Sequence, residues 1–292
     1  MKFEGTGVAL ITPFDESGNI DSVALRKLVN HQVENGTDFL VVMGTTGEAA
    51  TLSSKEQDEV LSIVINENNK RLPVVLGMGG NNTAELKQKM SSFDNLGVDG
   101  FLSASPHYNK PSQLGIIEHF KQLAQVSKLP IILYNVPGRT GSNMTAETTI
   151  ELSKVDNIVA MKEASGDMNQ VMEILEGVEP GFTVLSGEDA LTMPITALGG
   201  DGVISVVANA FPKEFSSMVN AVKNDNLEVA RKIHFQLLKA TGYFFEQGNP
   251  SGIKYCLECL GICKSVLRLP LVEISEDLKH RMTKELKDKE LI

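Results

Sequence analysis

The sequence predicts an α/β fold, a (β/α)8 TIM barrel with a C-terminal helical extension, on three observations. Eight short β-rich runs recur in the first 210 residues, amphipathic stretches of helical period separate most of them, and Gly or Pro repeatedly announces the next run. Strand, helix, strand at this pitch gives a parallel sheet covered by its own crossover helices. The runs are "VALITPF" (8–14), "FLVVMGTT" (39–46), "VVLGM" (74–78), "GFLSASP" (100–106), "IILYNVP" (131–137), "NIVAMKEAS" (157–165), "FTVLSGED" (182–189) and "GVISVVAN" (202–209). Between them, "SSKEQDEVLSIVINENNK" and "QLGIIEHFKQLAQVSK" space their apolar residues as helices do, and Ser53 with Glu56 reads as a capping box. A doubly wound open sheet is the competing fold. It would need a Gly-rich first turn, and "TPFDESG" is not one. From Phe211 onward no strand is legible. "PKEFSSMVNAVKNDNLEVARKIHFQLLKATGYFFEQG" reads as two helices broken at "KNDN", and "PSGIKYCLECLGIC" and "ISEDLKHRMTKELKDKE" as two more. The division is therefore a barrel over 1–210 carrying the active site and a helical region over 211–292.

Composition narrows the function. A formal net charge of −10 disfavours nucleic acid and anionic membrane as partners, because both demand clustered Lys and Arg. No apolar run reaches transmembrane length, and the N-terminus enters a strand without the regions of a signal peptide. Three cysteines without framework spacing point to a reducing, cytoplasmic setting.

In a (β/α)8 barrel the chemistry gathers at the carboxyl ends of the strands, where the βα loops converge. Lys162 is the conspicuous residue there. A strand lysine more often runs its stem to solvent, but this one follows the run Ile158–Met161 near the mouth of the sixth strand. Apolar surroundings ease loss of its proton, and a neutral amine can form a Schiff base with a carbonyl substrate. Glu163 falls on the opposite face by strand alternation, away from that amine. "GTTGE" (44–48) ends the second run with hydroxyls and exposed N–H groups suited to a carboxylate, and the following helix already has its cap in Ser53. Tyr108 and Tyr134 lie at strand ends; with the threonines they could pass the protons that imine formation moves. Arg139 in "PGRTG" offers a guanidinium fork for a second carboxylate.

Other motifs carry less. Cys256, Cys259 and Cys263 have C-x2-C-x3-C spacing but also fall at i, i+3, i+7 on an apolar helix stripe, which favours buried structural thiols over a metal site. The five histidines show no paired-ligand spacing, so no metal is expected. "GMGGNN" opens no dinucleotide fingerprint, and "VANAFP" lacks the glycines of a barrel phosphate site.

Taken together, "GTTGE", "YNKPSQ", "YNVPGRTG", "VAMKEASG", "LSGED" and "GGDGVISV" resemble the dihydrodipicolinate synthase family, within the N-acetylneuraminate lyase superfamily of class I aldolases. The resemblance spans almost the whole chain. It implies condensation of pyruvate with L-aspartate 4-semialdehyde, without cofactor, to 4-hydroxy-tetrahydrodipicolinate on the diaminopimelate and lysine route. It also implies an imine on Lys162 and a relay of Tyr134, Thr45 and Tyr108, with Tyr108 entering a neighbouring subunit. Thr46 then bonds the pyruvate carboxylate, Gly187 and Ile204 shape the pocket, and Arg139 binds the semialdehyde carboxylate. The implied assembly is a homotetramer, a dimer of dimers. N-acetylneuraminate lyases and 2-keto-3-deoxy sugar acid aldolases share the lysine but differ at "RTG". A non-catalytic keto-acid-binding barrel would be expected to have lost a relay group.

The sequence departs from the family in three places. His107 stands where a tyrosine often precedes Tyr108, and "AATLSSKEQ" lacks the histidines of the lysine-inhibited form, although Asn81 and Glu85 match the allosteric lysine site. Asn81, Glu85 and His107 are the candidates for regulation. "NPSGIK" replaces "NP-x-P-x-K", a change that the resemblance places far from the chemistry.

Overall fold

The computed structural model describes residues 2–94 and 96–292. Eight parallel strands, β1 (Gly5–Ala9), β2 (Phe39–Val42), β3 (Val74–Gly77), β4 (Gly100–Ala104), β5 (Ile131–Asn135), β6 (Ile158–Glu163), β7 (Thr183–Ser186) and β8 (Gly202–Ser205), form a barrel in chain order. β8 pairs with β1 and closes it. Helices α1 (Ser22–Glu34), α2 (Ser54–Asn68), α3 (Thr83–Ser92) and α4 (Gln113–Ala124) follow the first four strands. The one-turn α5 (Pro137–Thr140) precedes α6 (Ala146–Ser153); α7 (Met168–Gly177), α8 (Thr192–Ala197) and α9 (Pro212–Lys223) complete the ring. Then come α10 (Leu227–Glu246), α11 (Ser251–Cys259) and α12 (Glu276–Asp288). Asp21, Ser53, Asn82, Ser112, Thr145 and Asp167 each accept a backbone N–H at the start of a barrel helix. The Ser53–Glu56 capping box forms as expected.

Two boundaries move. The first strand begins at Gly5 rather than Val8, and Leu10–Phe14 runs on as a buried loop. Its glycines hid it: a Cβ at Gly7 would stand 2.3 Å from the Phe39 ring, so this strand must be bare where the barrel interior is full. Helix α9 follows β8 and packs on α8 and β1. Helix α11 ends at Cys259, so Cys263 lies beyond it and the three thiols share no single helix stripe.

β6 carries an irregularity that matters to the site. Ile131 pairs with Ile158, but Ile132 pairs with Ala160, leaving Val159 as an extra residue. Ile158 therefore packs outward against the helices, whereas Ala160 joins Phe39, Val41, Leu102, Ile132 and Leu185 inside the barrel. Residues Met161, Lys162 and Glu163 then alternate regularly.

Candidate active site

The bulge and the alternation after it aim Lys162 into the barrel at its carboxyl end. Its neighbours in register are Tyr134 on β5 and Leu185 on β7. Lys162 is 5% exposed, and its Nζ stands 4.4 Å from the centroid of the Tyr134 ring. Gly187 follows β7, where the lysine stem needs room: a Cβ there would fall 3.1 Å from Lys162 Cε and 2.6 Å from the Ala164 methyl. Ile204, 1% exposed, belongs to the apolar cluster beneath the amine. Lys162, Tyr134, Gly187 and Ile204 are thus brought to one end of the barrel interior.

The second strand ends in a 3-10 turn over Thr45–Gly47, with Glu48 beyond it in the left-handed region. Thr45 is exposed, and Thr46 is buried. Thr12 Oγ1 donates to Gly47 O at 2.7 Å and ties the turn to the loop after β1. Asn249 Nδ2 donates to Thr46 Oγ1 at 2.9 Å. That hydroxyl already accepts a proton, so its own O–H is left to donate to a ligand. Asn249, which the sequence reading did not single out, is thus a direct partner of Thr46. The stretch "NPSGIK" meets the turn after β2 at both ends: its first residue bonds Thr46, and Lys254, its last, meets Glu48.

Arg139 lies exposed on α5. The loop beyond it is anchored by a buried network. Asn135 Nδ2 donates to Glu163 Oε2 at 3.0 Å and to Asn143 Oδ1 at 2.8 Å, while Gln170 Nε2 donates to Glu163 Oε2 at 3.2 Å. Burial pushes the Glu163 carboxyl up, against the donors of Ser165, Asn135 and Gln170. Glu163 faces outward into this network, as alternation requires.

Two more carboxyls occupy the end of β7. Asp189 is buried and accepts from Ser205 Oγ and, at 3.1 Å, from Val206 N–H; burial raises its pKa. Glu188 is raised by burial and by Asp189, while the charges of Lys162 and Arg139 pull it back. Glu188 therefore feels the charges of both Lys162 and Arg139; the sequence reading quoted it within "LSGED" but gave it no role.

Tyr108 is not packed over Lys162 within its own chain. It stands 88% exposed on the loop after β4, at φ 64°. Among the regulatory candidates, Asn81 Oδ1 accepts the His107 N–H at 2.9 Å, whereas the Glu85 side chain turns to Lys89 at 2.7 Å. The three cysteines are free; burial drives the Cys256 thiol well up and Cys263 to about 12, away from reactive thiolate. No described helix is long and apolar enough to cross a membrane.

A closed parallel barrel with a lysine amine sequestered at its mouth is the architecture of a (β/α)8-barrel lyase. Comparison with known proteins narrows the class. The Dihydrodipicolinate synthetase family model matches residues 2–289, and the chain belongs to that family. A 4-hydroxy-tetrahydrodipicolinate synthase of Flavobacterium psychrophilum is 46% identical over 281 residues, 96% of each chain. Among solved structures, the chloride-inhibited dihydrodipicolinate synthase of Acinetobacter baumannii complexed with pyruvate is 35% identical, covers 100% of both chains and superposes with a TM-score of 0.96. The dihydrodipicolinate synthase of Cyanidioschyzon merolae with lysine bound is 39% identical, with a TM-score of 0.94 over 99% of both chains.

Proposed function

We propose that this enzyme condenses pyruvate with L-aspartate 4-semialdehyde through an imine on Lys162, yielding 4-hydroxy-tetrahydrodipicolinate for lysine biosynthesis. Family membership supports the reaction. The observation that carries the residue assignment is the Lys162 amine, nearly enclosed and 4.4 Å from the centre of the Tyr134 ring. The free amine attacks the keto carbon, water leaves, and the resulting imine draws electrons from the methyl group to give an enamine. That carbon attacks the aldehyde of the second substrate, and the amino group of that substrate then displaces Lys162 from the imine carbon, closing the ring and releasing the lysine amine. Tyr134 lies beside the nitrogen and moves protons with Thr45 and Tyr108; Thr46 donates to the keto-acid carboxylate; Arg139 takes the semialdehyde carboxylate.

The reading extends to a cytoplasmic homotetramer, a dimer of dimers. The exposure of Tyr108 and of Leu114 on the neighbouring helix supports a partner surface there. Lysine is proposed to bind near Asn81, Glu85 and His107, supported by the Asn81–His107 bond. The deciding experiment is a coupled assay with pyruvate and aspartate semialdehyde, beside borohydride trapping with pyruvate. Lys162→Ala should abolish both turnover and adduct. A trapped adduct on another lysine would overturn the assignment, and faster turnover of a sugar-derived keto acid would overturn the substrate.

A further inference from the structure

The C-terminal helices reach the turn that carries Thr46, and they reach it through charge. Glu48 ends that turn at φ 52° and ψ 32°, in the left-handed region that residues with a Cβ adopt uncommonly. Its side chain is completely buried. Lys254 Nζ, on α11 and equally buried, lies 2.5 Å from Glu48 Oε1. The same amine donates to Val266 O at 2.8 Å and sits 4.2 Å from the centroid of the Phe14 ring. The other oxygen of Glu48 accepts the Arg268 N–H at 3.1 Å. Neither Glu48 nor Lys254 has a part in the chemistry above.

Stability alone is a poor reason for such a pair. Removing two charges from water is expensive, and a well-packed apolar pair of similar size often does as well or better. What the pair supplies is direction. A buried carboxylate with a cation against one oxygen and a backbone N–H bonded to the other has its rotation restricted. Glu48 N–H also closes the 3-10 turn onto Thr45 O at 3.1 Å. Fixing the Glu48 side chain therefore fixes the pitch of the turn two residues before it, where Thr46 presents its hydroxyl.

We propose that the Glu48–Lys254 pair is a positioning element of the active site, holding the Thr46 turn in register with the keto-acid carboxylate. The proposal rests on the reading that this turn takes that carboxylate. Its loss impairs carboxylate recognition specifically, not carbonyl chemistry in general.

The test uses the full chain in four forms: unaltered, Glu48→Gln, Glu48→Gln with Lys254→Met, and Thr46→Val. For each, the keto-compound concentration giving half-maximal cyanoborohydride trapping on Lys162 is measured with pyruvate and with methyl pyruvate, which has no carboxylate charge. In both Glu48 forms the pyruvate value should rise about tenfold, the scale of one charge-assisted hydrogen bond, while the methyl pyruvate value moves less than about twofold. The double variant leaves no lone buried cation and carries the test where Glu48→Gln alone does not fold. Equal losses for the two compounds, an unchanged pyruvate value, or failure of the double variant to fold would each overturn the proposal. Thr46→Val separates the two readings. If it leaves the pyruvate value unchanged, the carboxylate assignment itself falls; if it raises that value and the Glu48 forms do not, only the positioning role falls.

Discussion

Gly187→Ala tests the geometry around the amine with a single methyl group. Gly187 does not use the left-handed region, so the substitution acts by volume alone. The new Cβ would lie 2.6 Å from the Ala164 methyl, 3.1 Å from Glu163 O and 3.1 Å from Lys162 Cε, where ordinary contact begins at 3.4 Å. The first contact cannot persist; the third requires the lysine stem to yield by a few tenths of an ångström. Overpacking of this kind costs about 1–3 kcal/mol, which in a chain of this size lowers the melting temperature by roughly 2–6 °C. Displacing the amine should slow imine formation by about 10- to 100-fold, since reacting groups tolerate little misplacement. The assay is the rate of borohydride trapping with saturating pyruvate, beside a thermal melt. Ala164→Gly combined with Gly187→Ala relieves the closest contact but leaves the lysine contact. It should recover much of the melting temperature while trapping stays slow. If Gly187→Ala melts lower yet traps at the parent rate, the stem of Lys162 does not lie against Gly187 and the site geometry is wrong.

Four other outcomes follow from the same structure. Asn249→Ala removes the donor that orients Thr46 and should raise the pyruvate KM about 2- to 10-fold, the worth of one neutral hydrogen bond, in steady-state kinetics. Asp189→Asn should change the pH dependence of stability. The folded pKa of Asp189 is raised above its ordinary value of 3.8, so on acidification the folded state takes up this proton before the unfolded state does, and stability is gained as pH falls towards 3.8. The variant lacks that gain, and melts from pH 7 down to 4 should show the parent improving relative to it. Tyr108→Phe and Lys162→Ala, each inactive or nearly so alone, should regain activity when co-expressed if Tyr108 serves a neighbouring subunit; persistent inactivity of the mixed oligomer would refute that role. Gly7→Ala drives a methyl into the Phe39 ring and should destabilise by about 1–3 kcal/mol in denaturant unfolding.

The barrel was legible because its signals are local: apolar runs mark strands, amphipathic stretches mark the helices between them, and Ser53 marks the start of one. Lys162 was legible for the opposite reason, as a polar residue where the local pattern demands an apolar one. Where strand β1 begins was misread because a strand that must accommodate Phe39 uses glycine, and glycine carries no β signal. The supports of the site were harder still. Asn249 and Thr46 are 203 positions apart, and "NPSGIK" reads only as the start of a helix. Even the clue at Glu48, a carboxylate closing a turn of small residues, says nothing about where its cation sits. Helices α10–α12 looked like an appendage because amphipathic periodicity shows that a helix buries a face, not what it buries it against. The packing supplies that information. Phe14, the last residue of the first apolar run, meets both Lys254 and the Arg268 guanidinium, 4.2 and 4.5 Å from its ring centre. Arg268 also donates to Gly18 O at 2.7 Å and to Thr51 O at 3.1 Å, joining the loops after β1 and β2 to the segment beyond α11. A barrel provides the strand ends on which a reactive amine can stand. In this chain the C-terminal region reaches over those strand ends and ties the loops above them, through Asn249 to Thr46, Lys254 to Glu48 and Arg268 to Gly18 and Thr51.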